Sequence, residues 1–398
     1  MFERLERMPD DPILGLMAAF RADPDTRKVD LGVGVYRNDR GETPVLEAVR
    51  KAEAAVLARQ TSKTYVAPAG NPGFNDSIQK LVFGEDHPTV KAGRVRTIQA
   101  PGGCGALRVG AELIRRAYPE AIVHVSTPTW ANHVPLLTGS GIKLESYPYY
   151  DQSNGSVNFS AMMDSLDKLP KGAFVLLHGS CHNPTGADLS EQQWRDVLAL
   201  VQRRGLIPYI DMAYQGLGTG IAEDAFGARL FAAELPEVLV AVSCSKNFGL
   251  YRERTGALSV ITQTPTTADA ILTQLVRIAR TIYSMPPDHG AAIVHEILTN
   301  EALRGSWTDE VGSMRARITG LRNEAVAKLA KAAPGKDFSF IARQRGMFSF
   351  LGVSKDQVRE LREKHHIYMT DDSRINIAGL KSDNIGYFAE TVAQVVAK

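Results

Sequence analysis

From about residue 45 the chain alternates helical patterns with short, continuous apolar runs at 121–125, 174–178, 207–211 and 238–242. A run of that length without polar alternation reads as a strand buried on both faces. Such strands separated by helical stretches predict a mainly parallel α/β sheet covered by helices on both sides. Ligands of these sheets gather beyond the carboxyl ends of the strands, so the polar residues that follow each run are the ones to carry chemistry. The pattern then changes: a helical stretch over about 309–333 precedes two short strand patterns, at 338–341 and 347–350, and a closing strand at 374–378. This last part reads as a smaller α+β unit. Its closing strand begins on Arg374, which fits either an edge charge that discourages aggregation or a cation placed for a ligand.

Composition narrows the class of function. The 398 residues are 44% apolar and 23% charged, as in ordinary globular proteins. Well-mixed charges, 46 basic and 44 acidic, leave a formal +2, which speaks against a nucleic-acid or acidic-membrane partner and favours small-molecule work. Cys104, Cys181 and Cys244 are odd in number and form no C-x-x-C pair, so reduced thiols in a reducing compartment are expected. The start, Met1-Phe2-Glu3-Arg4-Leu5-Glu6-Arg7, has no hydrophobic signal core, and no apolar run approaches a membrane span. The expectation is a soluble cytoplasmic protein.

The run at 238–242 leads into Ser243-Cys244-Ser245-Lys246-Asn247-Phe248-Gly249-Leu250-Tyr251-Arg252-Glu253-Arg254. Desolvation at a strand end and a neighbouring cation, Arg254, both favour a neutral lysine amine, the form that makes a Schiff base with an aldehyde. Ser243, Ser245 and Arg254 suit a phosphate beside that aldehyde, a pairing found in pyridoxal phosphate. On these residues alone a basic surface loop remains the alternative. Asp211 ends another run, and a carboxylate buried there needs a cation, such as a protonated pyridine nitrogen. Tyr214 reaches the phenolic oxygen of such a ring, or is an ordinary half-buried tyrosine. The turn His178-Gly179-Ser180-Cys181-His182-Asn183-Pro184-Thr185-Gly186 pins the Asn183 amide. His178 and His182 lie on that turn without an acidic third ligand, so no metal is expected. Pro101-Gly102-Gly103-Cys104-Gly105-Ala106-Leu107-Arg108 is a glycine turn entering a helix, either a phosphate cradle or a tight loop. Trp130 offers a flat face to an aromatic cofactor, or is a buried core residue.

Together and in this order, these segments resemble the fold-type I pyridoxal-phosphate aminotransferases, and within them the aspartate and aromatic-amino-acid subfamily. The likeness spans essentially the whole chain, from Asp11-Pro12-Ile13-Leu14-Gly15-Leu16 to Ser373-Arg374-Ile375-Asn376-Ile377-Ala378-Gly379-Leu380. It includes Leu31-Gly32-Val33-Gly34-Val35-Tyr36, Ala213-Tyr214-Gln215-Gly216 and Gly346-Met347-Phe348-Ser349. The resemblance implies a large domain over 45–308 with a seven-stranded type of sheet. An N-terminal arm over 1–44 would join a small C-terminal domain over 309–398.

It also implies residue roles. Lys246 would form the Schiff base with the cofactor, Asp211 would pair with the pyridinium, and Tyr214 and Asn183 would bond the phenolate oxygen. Trp130 would stack on the ring. Gly103, Cys104, Ser243, Ser245 and Arg254 would hold the phosphate, joined by Tyr65 from the other subunit of a homodimer with shared active sites. Arg374 would clamp the substrate α-carboxylate with help from Gly34 and Asn183, while His133 and His178 would support from behind. Cys104 departs from the family pattern, which has threonine or serine there, and a thiol donates weakly. Arg280 matches the binder of a side-chain carboxylate, implying 2-oxoglutarate as acceptor; without the resemblance it reads as a helix-end cap. Met285, flexible where dicarboxylate-restricted relatives have a polar residue, favours aromatic donors as well as aspartate. Val35, Arg37 and Thr43 look more like the aspartate-type pattern, which keeps an aspartate-restricted enzyme as the alternative. A non-catalytic pyridoxal-binding regulator and a glycine-loop oxidoreductase fit less well, the latter because the turn lacks G-x-G-x-x-G.

Overall fold

A computed structural model of the protein describes residues 2–8 and 12–397. Met1 and Asp11, which opens the first of the matched runs, lie outside them. The frame is a sheet of seven strands: β1 (Val95–Pro101), β2 (Ile122–Thr127), β3 (Lys143–Pro148), β4 (Phe174–His178), β5 (Ile207–Met212), β6 (Val238–Ser243) and β7 (Thr255–Ile261). Their spatial order is β1-β7-β6-β5-β4-β2-β3, and β7 alone runs antiparallel to its neighbours β1 and β6. The four runs read as strands from the sequence are β2, β4, β5 and β6. In β5 and β6 every residue is buried, as continuous apolar runs require when helices cover both faces.

Helix α1 (Gly102–Ala117) leaves β1 directly and turns its apolar side, including Leu107, Leu113 and Ile114, onto the sheet. The approach is close: the Tyr209 hydroxyl of β5 donates to the Leu107 carbonyl at 2.8 Å, and a side chain at Gly110 would collide with that hydroxyl. Helix α2 (Pro265–Ile282) covers part of the same face beside β1.

The C-terminal part departs from the sequence reading in three places. The helix expected from 309 is α3 (Glu301–Ala332), started by Asn300, whose side chain accepts the Leu303 N–H at 3.2 Å. Position 308/309 therefore falls within a helix. The pattern at 338–341 is not a strand: Phe340–Arg343 forms a helical turn, where Asp337 accepts the Ser339 N–H and buried Arg322 of α3 donates to the Ile341 carbonyl. The strand β8 (Phe348–Phe350) does form and pairs antiparallel with β9 (Arg374–Asn376). β9 stops at Asn376 because that side chain accepts the Ala378 N–H and bends the chain into a 3-10 turn, Ile377–Gly379. Val29–Asp30 pairs parallel with Ile367–Tyr368, which ties the N-terminal segment to this C-terminal unit. Among the described residues no helix is long and apolar enough to cross a membrane.

Candidate active site

The carboxyl ends of β4, β5 and β6 open into a cavity. Twelve of the residues picked out from the sequence line it: Gly34, Gly103, Cys104, Trp130, His178, Asn183, Asp211, Tyr214, Ser243, Ser245, Lys246 and Arg254.

Lys246 sits on the turn after β6. That turn is held from behind by α3, where the Trp307 indole donates to the Asn247 carbonyl at 2.8 Å and stacks on Phe248 at 4.5 Å. Burial pushes the Lys246 amine below the ordinary lysine range; nearby Arg254 adds to this, while Asp211 and Cys104 oppose it. The amine lies 4.8 Å from the centre of the Tyr214 ring.

Asp211, on β5, is 7% exposed. Burial alone would push its carboxyl up, but the His133 hydrogen bond and the electrostatic influence of His133, His178 and Lys246 outweigh it, and the net direction is down. His133 Nε2 stands 3.1 Å from the carboxylate, and its Nδ1 meets the Thr129 hydroxyl at 2.8 Å. The same hydroxyl lies 3.2 Å from His178 Nε2. With Asp211 ionised, His133 Nε2 is the donor; the single Thr129 proton then serves one imidazole while its oxygen accepts from the other. Burial lowers His178 to about 3, so this imidazole is neutral. His182 is spoken for by the Ser126 and Thr185 hydroxyls, at 3.1 and 2.9 Å.

Asn183 Nδ2 donates to the Tyr214 hydroxyl at 3.3 Å. Burial raises the Tyr214 phenol and the Asp211 charge adds to it, so the hydroxyl stays protonated at neutral pH. Arg374, half-buried at the start of β9, donates to the Gly32 carbonyl at 2.8 Å and reaches Asn183 Oδ1 at 3.5 Å. Its guanidinium lies 4.6 Å over the Phe348 ring, and its buried Nε has no partner. Phe348 also fixes the opposite wall, where a Cβ on Gly34 would come within 2.9 Å of its ring.

The start of α1 lies against β6 and Arg254. A Cβ on Gly103 would meet Ser243 Cβ at 3.1 Å, and one on Gly102 would meet the Arg254 guanidinium at 2.5 Å. The Ser243 hydroxyl donates to that of Ser245 at 3.1 Å. Trp130 packs edge-on against His133, with ring centres 5.2 Å apart. Cys104 is partly buried, and Asn132 Nδ2 donates to its sulfur at 3.6 Å.

Tyr65 and Arg280 are not in this cavity. They line a separate surface depression with Val66, Ser284 and Met285, where Tyr65 is 88% exposed, Arg280 donates to Ser284 Oγ, and the Val66 N–H donates to Met285 Sδ at 3.3 Å. Sequence reasoning gave no role to Tyr251, Ser180 or Thr129. Tyr251 lines the cavity and its hydroxyl accepts the Tyr36 N–H at 2.9 Å; Ser180 lines it too, with a buried hydroxyl that has no hydrogen-bond partner among the described residues. Their one signal is nearness to chemistry-bearing residues: Tyr251 follows Lys246, Ser180 follows His178, and Thr129 precedes Trp130.

A model of the family described as aminotransferase class I and II matches residues 26–392. The chain belongs to the class I and II aminotransferases. It is 45% identical to the aromatic-amino-acid aminotransferase of Pseudomonas aeruginosa, over all of this chain and 99% of that one. It is 44% identical to the aspartate aminotransferase of Salmonella typhi, over the full length of both. The solved aromatic-amino-acid aminotransferase of Burkholderia pseudomallei, covalently bound to pyridoxal phosphate, superposes with a TM-score of 0.97 at 46% identity, covering 99% of each chain.

This aminotransferase therefore uses pyridoxal phosphate, and its cavity fits that group. It offers a desolvated amine, a buried carboxylate, paired serine hydroxyls beside a guanidinium, and a Ser180 hydroxyl left free for a guest.

Proposed function

We propose that the enzyme transfers an amino group from an aromatic amino acid (tyrosine, phenylalanine or tryptophan) or aspartate to 2-oxoglutarate, in two half-reactions that share one cavity. The observation that carries this reading is the convergence of Lys246, Asp211 and Tyr214 with Arg374 close by through Asn183. When bound, pyridoxal phosphate supplies an electron sink that stabilises negative charge at the substrate α-carbon. Gly103, Cys104, Ser243, Ser245 and Arg254 hold the phosphate end, Trp130 covers the ring, and Asp211 meets its nitrogen. Tyr214 and Asn183 serve its phenolic oxygen.

Arg374 takes the substrate α-carboxylate as a bidentate pair, with Asn183 and the Gly34 backbone beside it. The Lys246 amine, neutral-leaning by burial, removes the α-proton and returns one in the reverse direction. Alternating release of a keto acid and entry of a second gives ping-pong kinetics.

The working unit in this reading is a homodimer with shared sites. The placing of Tyr65, Arg280 and Met285 together on the surface, apart from their own chain's cavity, supports it: this patch completes the cavity of a second copy. Tyr65 then reaches the phosphate, Arg280 the side-chain carboxylate of dicarboxylic substrates, and Met285 the aromatic ring of others. Within each chain, 1–44 and 309–398 form the smaller domain beside the large domain of 45–308, in a cytoplasmic enzyme. The names of the relatives support both kinds of donor. The ratio of kcat/KM for tyrosine or phenylalanine to that for aspartate tests the substrate reading; comparable values are expected, and a ratio far below unity leaves an aspartate-restricted enzyme.

A further inference from the structure

We propose that Cys104 is a modification site. In the cofactor-free enzyme its thiol takes up a small-molecule disulfide as a mixed disulfide, the adduct excludes pyridoxal phosphate, and bound pyridoxal phosphate shields the thiol. This rests on the reading that the cofactor phosphate lies at the start of α1.

Cys104 is the third residue of α1 and faces the cavity with Ser243, Ser245 and Arg254. It is the cysteine with an open approach: Cys181 and Cys244 are 1% and 0% exposed, and burial pushes both their thiols up, away from the reactive thiolate. The Asn132 amide at 3.6 Å holds the Cys104 sulfur only weakly. Arg254 lines the same space and draws an anionic disulfide into it. Independently, the Ser180 hydroxyl, on a residue 7% exposed, lines this cavity with no hydrogen-bond partner among the described residues, so the wall already offers a polar group to a guest.

The exchange is balanced within its reactants. The Cys104 sulfur gives up its proton to solvent and attacks one sulfur of the disulfide; the S–S bond breaks, the Cys104 S–S bond forms, and the second sulfur leaves as a thiolate. The adduct and a phosphate compete for the same wall, because Cys104 lines it together with Ser243, Ser245 and Arg254. Even one added carbon at Gly103 or Gly102 would meet Ser243 at 3.1 Å or Arg254 at 2.5 Å.

The test treats cofactor-free enzyme and holoenzyme with oxidised glutathione, followed by intact and peptide mass measurement and by absorbance during cofactor addition. One glutathionyl group on Cys104 is expected in the cofactor-free enzyme and none in the holoenzyme. The modified protein should fail to develop the cofactor band until dithiothreitol removes the adduct, whereas in Cys104→Ser, whatever its own uptake, treatment should make no difference to that uptake. Equal labelling of the holoenzyme, labelling at Cys181 or Cys244 instead, or normal cofactor uptake by the modified protein overturns the proposal. If untreated cofactor-free enzyme takes up no cofactor, the reading of the cavity itself fails.

Discussion

His133 Nε2 lies 3.1 Å from the Asp211 carboxylate, at the end of a hydrogen-bonded chain that runs through Thr129 to His178. The carboxylate is thus supported from the protein side while it faces the cavity, which keeps a buried negative charge in place for a cationic guest. Asp211→Asn preserves the shape but removes that charge. Cofactor affinity is expected to fall by roughly 10–100-fold, the range typical for losing a group that orients and charges a bound centre. Titration by absorbance measures it, and an unchanged affinity would show that Asp211 does not meet the cofactor.

Lys246→Ala removes the amine and with it the proton transfer. Turnover is expected to drop by about 10²–10⁴-fold, the usual contribution of a positioned acid–base group. Borohydride should no longer fix the cofactor covalently to the protein of this variant. Normal turnover without added amine would rule out the proposed role.

His178 makes stability depend on pH in the cofactor-free enzyme. Its folded-state value of about 3 lies below the ordinary 6.5, so the unfolded chain binds the proton first. The stabilising contribution is complete above pH 6.5 and is lost as pH falls toward 3. Denaturant titrations across this window should show a slope that flattens in His178→Asn; an equal slope in both proteins would mean that other groups set it.

Arg374→Lys keeps a charge but loses the fork that pairs bidentately with a carboxylate. Arg374→Ala should lower kcat/KM for donor and acceptor alike by an amount worth about 2–5 kcal/mol, as for truncating one side of a desolvated charge pair. The lysine variant should fall between. A loss confined to one of the two half-reactions would contradict a common α-carboxylate clamp.

A homodimer with shared sites, as proposed, would make inactive parents complementary. Chains carrying Lys246→Ala refolded with chains carrying Arg280→Ala should form mixed dimers with one cavity that has both groups, restoring aspartate-to-2-oxoglutarate transfer. No recovery, with mixed dimers shown by mass, would mean that Arg280 does not complete the cavity of a partner chain.

Much of this site was legible because its residues follow apolar runs that need no context to be read as strands. Asp211, Lys246 and the turn with Asn183 stand at the ends of β5, β6 and β4, and strand ends of one sheet share one edge. Strands β1 and β7 were not legible. Their interiors carry Thr97, Gln99 and Ser259, polar residues that are buried because partners elsewhere satisfy them: Thr97 and Ser259 pair hydroxyls at 2.8 Å, and Gln99 donates to the Pro287 carbonyl at 2.7 Å. A strand pattern at 338–341 became a helical turn for the same kind of reason, since the Arg322 guanidinium binds its carbonyl from a helix remote in sequence.

The sequence by itself thus determined the sheet's central strands, the amine and its carboxylate, through local hydrophobic runs and the polar residues that end them. Only the tertiary structure decided which distant groups join them. It brought Arg374 from the C-terminal unit to Asn183, joined His133 to Asp211, and left Tyr65 and Arg280 on an outer face. Such meetings depend on long-range packing and on hydrogen bonds made after the chain has folded, and no local pattern of apolar and polar residues encodes them.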